Sequence, residues 1–178
     1  AVARLDVEKH REQIIIFNER LKKLNLEPVE VPSYEAELSE LNELINSTKT
    51  IVENGQDIEE AIHYQTTTWN NIVRAYENAV TVANKGEEAN KTEILVAIEE
   101  LSLAKENLVL LNKTELKKAI EAATSKAEDG ILEEVEEEIK ISFNNALEVA
   151  ISVYENKDVT VQDIAKSYND ILIEYKKL

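Results

Sequence analysis

The sequence predicts an all-α chain: two tandem three-helix bundles with an additional N-terminal helix. Three observations carry that expectation. Only three Gly and two Pro occur in 178 residues, and none lies inside a stretch with helical apolar spacing. A sandwich of strands needs a turn every ~8–12 residues and far more breakers. Apolar residues recur at three- and four-residue intervals along most of the chain, which is the period of a helix with one buried face. The chain also repeats itself, because "AYENAVTV" at 75–82 is echoed by "ALEVAISV" at 146–153, 71 positions later.

Taken in order, a first helix runs roughly from Val2 to Asn25, and "NLEPVEVPSY" follows as an extended linker around Pro28 and Pro32. Helices are then expected over about 34–53, 57–85, 90–110, 113–128, 131–155 and 160–177. Gly55, Gly86 and Gly130 each end a periodic run, where a left-handed cap is wanted. Ser33 supplies a start signal for the second helix. Asp57 with Glu60, Asn90 with Glu93, Asn112 with Glu115 and Thr160 with Asp163 have capping-box spacing or its near relative. Ile72, Ala75, Tyr76, Ala79 and Val82 form one apolar stripe, and Phe143, Ala146, Leu147, Ala150 and Val153 form its echo. Ala four residues apart lets neighbouring helices approach closely while larger residues fill the grooves. The expected organisation is therefore 1–33 as helix and linker, 34–111 as repeat one and 112–178 as repeat two. Residues 1–26, with "IIIF" at 14–17, read either as the last helix of a preceding module or as a fourth helix on repeat one.

Composition narrows the function. A net charge of −16 repels phosphate backbones and anionic lipid, so neither nucleic acid nor an anionic membrane surface is an expected partner. No apolar stretch approaches the ~18 residues that span a bilayer, so no membrane insertion is expected. Without Cys there is no disulfide and no thiol chemistry. The lack of any Met suggests a processed or excised fragment.

Candidate chemistry is sparse. Glu60 and His63 form a Glu-x-x-His pair on the expected helix, but carboxylate-bridged metal sites need two such pairs and further carboxylates. Glu133, Glu134, Glu136, Glu137 and Glu138 read as a solvated helical face rather than a calcium loop, which would alternate Asp and Asn about a Gly turn. Phosphate-cradling Gly loops and nucleophile elbows are missing, and only two His are available as bases. No catalytic residue, metal ligand or cofactor is assigned, and the chain is expected not to be an enzyme. Trp69 and Tyr64 remain as candidate ligand-facing residues. Their place on the stripe with Ile72 and Tyr76 argues for core packing instead.

The pattern resembles tandem FIVAR-type modules (found in various architectures), small three-helix bundles repeated in secreted and cell-wall proteins of Gram-positive bacteria. The likeness rests on "NKTELKKAIEAA" at 112–123 and on Tyr64, Trp69, Ile72, Ala75, Tyr76, Ala79 and Val82 in the middle helix of repeat one. Repeat two keeps Phe143, Ala146, Leu147, Ala150 and Val153 but has Val135 and Lys140 in the Tyr and Trp places. The resemblance covers roughly 34–178. It implies a non-catalytic spacer or interaction module of a larger extracellular protein, secreted or on the cell surface. Its partners would be neighbouring modules of the same polypeptide, or a protein or surface glycan. The alternatives are a dedicated protein- or glycan-binding helical module and, less favoured, a carboxylate-based enzyme.

Overall fold

Long runs of Glu, Lys, Leu, Ile and Ala without internal breakers make helix, and 74% of the chain is helical in the computed structural model. It describes residues 2–29 and 33–178, with side chains for 11–29, 33–86 and 88–178. Pro32 of the expected linker and the side chain of His10 lie outside the described residues. Seven α-helices are seen among them: α1 (Val2–Lys23), α2 (Glu35–Asn54), α3 (Thr66–Asn84), α4 (Lys91–Glu106), α5 (Thr114–Glu128), α6 (Glu137–Glu155) and α7 (Val161–Tyr175).

Local chemistry sets many of the ends. Asn90 accepts from the Glu93 amide at 2.7 Å and its own amide faces the Glu93 carboxylate at 3.4 Å, closing a capping box at α4. Thr160 and Asp163 close another at α7. The Glu35 amide donates to Ser33 Oγ at 3.3 Å before α2. Gly55 takes φ +87° just past α2, a conformation that costs a side-chain-bearing residue.

The echo in the sequence is an echo in structure. Helices α3 and α6 are both 19 residues long, and both of their ends lie 71 positions apart. Ala79 and Ala150 are each fully buried. Helices α4 and α7 begin 70 positions apart, and Ile94, Ala97 and Leu101 are buried as are Ile164, Ser167 and Ile171.

Two expectations need correction. The helix expected over 57–85 does not begin at Asp57. Residues 57–64 form an antiparallel hairpin, β1 (Asp57–Glu59) and β2 (Ile62–Tyr64), and β2 pairs with β3 (Leu110–Asn112), at the place where the sequence predicts the end of the helix over 90–110. Ile58, Ile62 and Tyr64 suit a pleated surface, and pairing with a distant strand overrides the weak capping signal of Asp57 and Glu60. Likewise 131–155 is not helical throughout: a short 3-10 turn at Ile131–Glu133 and an extended Glu136 precede α6.

The chain divides into two compact units. The first holds 1–51 and 72–106, and the second holds 52–71 and 107–178. The expected boundary at 111/112 thus falls inside β3. In the first unit α2 buries Leu41, Ile45 and Thr48, and the guanidinium of Arg11 on α1 lies 4.8 Å from the ring centre of Tyr34, the residue before α2. In the second, α5, α6 and α7 pack pairwise around Leu111, Leu116, Ala123, Phe143, Ala150 and Ile171. Among the described residues no helix is long and apolar enough to cross a membrane.

Candidate functional site

The three-stranded sheet of the second unit gathers the residues singled out by sequence. Side chains alternate across a strand, so β2 points His63 inward and Ile62 and Tyr64 outward. His63 is 4% exposed and pairs in register with the fully buried Leu111 of β3. A register shift between Asp57 and Glu59 leaves Ile58 as the extra, exposed residue of a bulge.

Lys113 is the centre of the inner face. Its amide extends the ladder by donating to the Ala61 carbonyl at 2.8 Å. Its side chain is fully buried, and Nζ donates to the carbonyls of Val153 and Tyr154 at 2.9 Å and of Asn156 at 2.7 Å. Those oxygens are the orphan acceptors at the C-terminal end of α6, where a cation also meets the negative pole of the helix. Burial, then the nearby Lys157 ammonium, push Lys113 down to about 8. All three N–H bonds of the ammonium are used, so Lys113 offers neither a lone pair nor a free donor to a substrate. His63 is held below its ordinary value by burial first and then by Lys113 and Lys157, with Asp57 acting the other way. Its Nε2 has no hydrogen-bond partner.

The corner between α6 and α7 fastens the start of α3. The first amides of a helix need outside acceptors, and here they come from 91 residues downstream. Thr67 N and Oγ1 donate to the two Asp158 carboxylate oxygens at 2.9 and 2.6 Å. These bonds hold the Asp158 carboxyl below the usual range. The Thr66 amide donates to the Lys157 carbonyl at 3.1 Å, and Gln65 Nε2 to that of Val159 at 3.0 Å. Lys157 pairs with Asp57 at 2.7 Å and Lys117 with Glu60 at 2.6 Å, tying the hairpin to the corner and to α5.

The outer face carries the two candidate ligand-facing residues. Tyr64, on β2, and Trp69, in the first turn of α3, stack with ring centroids 5.6 Å apart and planes 12° from parallel. Both are half-buried, and Leu110, opposite Tyr64 in register, is 48% exposed. Sequence reasoning puts Tyr64 and Trp69 on one helix. The structure brings them together from a strand and a helix.

The other candidates are not assembled. Glu60 sits in the exposed hairpin turn and His63 on the buried face of a strand, so they do not share a helical face. Glu133, Glu134, Glu136, Glu137 and Glu138 are all exposed, and Glu133 pairs with Lys140 at 3.2 Å. Among the described residues no three His, Asp or Glu side chains converge as metal ligands. Sequence reasoning misses Lys113 and Asp158. A Lys directly after "VLLN" is a faint sign of burial, and nothing local marks Asp158 as a cap for α3.

No family model matches the chain, and no curated protein or solved structure matches it.

Proposed function

We propose that the chain is a non-catalytic spacer of a larger extracellular bacterial protein, built from tandem three-helix modules of the FIVAR type. One observation carries the reading. The buried ammonium and the amide of Lys113 are consumed in joining β3, the hairpin turn and the end of α6. The neighbouring polar contacts of Thr67, Asp158, Lys157 and Gln65 are likewise spent on connections between elements. That use of polar groups suits a segment selected for holding its form. The matching lengths and burial of α3 and α6 favour a duplicated module. Its surroundings would be neighbouring modules of the same polypeptide at a bacterial cell surface.

The test is excision. Removing residues 1–178 from the parent polypeptide and rejoining the flanks should lower action on a surface-bound substrate and leave action on a soluble one unchanged. Equal loss on both substrates contradicts a spacer.

A second reading, a binding module for a protein or glycan, is favoured by the Tyr64–Trp69 stack beside exposed Leu110. Aromatic faces of this kind supply rigid apolar contact area. If excision abolishes capture of a defined partner, and Trp69→Ala in the intact protein does the same without lowering stability, the binding reading replaces the spacer.

A further inference from the structure

Helix α1 carries apolar side chains on two of its sides. Arg11, Ile14, Asn18 and Leu21 follow helical spacing and are all partly buried, so one face is already covered. A second face presents Ile16 at 53% and Phe17 at 50% exposure, with Leu24 at 68% just past the last turn. Six of the fifteen exposed large apolar side chains among the described residues lie between positions 15 and 29. Of these, Ile16, Phe17 and Leu24 share one side of the helix by their spacing, whereas Ile15 and Leu26 line a cavity with Asn18 on another; exposed apolar patches such as the former mark interaction surfaces.

Charge decides what covers it. Residues 1–26 carry six basic and four acidic side chains, whereas the other 152 residues carry 14 and 32. Two copies of so acidic a chain repel each other almost everywhere. Segment 1–26 is the exception. On its exposed side Glu12 lies one turn before Ile16, and Arg20 and Lys23 lie in the turns after Phe17, outweighing the single exposed anion there, Glu19. An apolar centre with an anion at one end and cations at the other complements itself when a second copy runs antiparallel. Two-fold pairing is also the commonest way for identical chains to associate.

We propose that α1 is a homodimerisation helix: two copies pair antiparallel through Ile16 and Phe17, with Glu12 of each opposite Arg20 and Lys23 of the other. Isologous contact places every favourable pair twice, so reversing one sign creates like-charge contacts at both ends. The spacer reading does not depend on this pairing.

Sedimentation velocity on the full 178-residue chain, across a concentration series at moderate salt, tests it. The wild type should show reversible monomer–dimer exchange. Phe17→Asp should abolish the dimer while helix content by circular dichroism stays constant, since the position is exposed. Glu12→Lys alone, and Arg20→Glu with Lys23→Glu, should each weaken association by about tenfold or more. The triple variant should restore it. A wild type that stays monomeric throughout overturns the proposal, as does a dimer indifferent to Phe17→Asp. If reversal of the basic pair weakens association but the triple variant does not recover it, the cations face an acidic surface elsewhere and the antiparallel pairing is wrong.

Discussion

Helices α3 and α6 have the same length, the same Ala-spaced seam and the same register of burial, yet the chain leads into them differently. It reaches α3 through a β-hairpin whose last strand carries Tyr64, stacked on Trp69 of the helix. It reaches α6 through a 3-10 turn and the extended Glu136, with Val135 and Lys140 at the positions 71 further on. The aromatic pair and the hairpin are thus present together in one copy and missing together in the other. What is shared is the packing of the helix. What differs is how its first turn is held: Asp158 and Lys157 supply acceptors for α3 from a distance, whereas the N-cap side chain of α6 makes no capping bond.

The comparison breaks most visibly at Lys113. Lys113→Met removes the ammonium from three buried carbonyls and should destabilise the protein by about 2–4 kcal/mol, the recovered desolvation of the charge being smaller than the lost bonds. Chemical denaturation measures this, and a neutral result would mean the carbonyls find other partners.

Next come the seams themselves. Ala79→Leu and Ala150→Leu should each cost about 1–3 kcal/mol by overpacking. If the two copies are packed alike, the two costs agree. A neutral Ala150→Leu would show the second seam to be looser than its burial implies.

Acidity separates the two helix starts further, because only the hairpin side carries a buried histidine. The folded-state pKa of His63 is depressed, so the unfolded chain binds its proton more readily. Its contribution to stability is present above about pH 6.5 and is lost as pH falls. Lys113 remains charged across that range, so protonated His63 meets a fixed cation. The melting temperature should fall between about pH 7 and 5, and His63→Leu should flatten that slope. An unchanged slope in the variant assigns the pH dependence to carboxylates.

The smallest effect sharpens the match of α4 with α7. Ala97 is buried where α7 has Ser167, whose Oγ is buried without a partner. Ser167→Ala should raise stability by about 0.5–1 kcal/mol, since an unsatisfied hydroxyl is removed. A loss would show that the hydroxyl is satisfied in solution.

How much of this is legible in the sequence follows from which contacts are local. The apolar periods of α3 and α6, and the boxes at Asn90 with Glu93 and Thr160 with Asp163, are written within a few residues of where they act. The hairpin is not. Its three-residue strands become stable only by pairing with β3, nearly 50 residues on, and Asp57 with Glu60 imitates a helix start in isolation. Lys113 and Asp158 are invisible for the same reason. Each acts on backbone groups roughly 40 to 90 residues away, and beyond the faint hint of the apolar run before Lys113 no local pattern distinguishes either from a surface charge.

Through its amide and its ammonium, Lys113 is expected to bind the hairpin, β3 and the end of α6 into one cooperative structure. Native-state hydrogen exchange on the wild type and on Lys113→Met tests it most directly. The paired amides of 62–64 and 110–113 and the amide of Asn156 should share a common protection in the wild type, and lose it together in the variant. Hairpin amides that exchange as fast as an open loop in the wild type, or that keep their protection without Lys113, would contradict it.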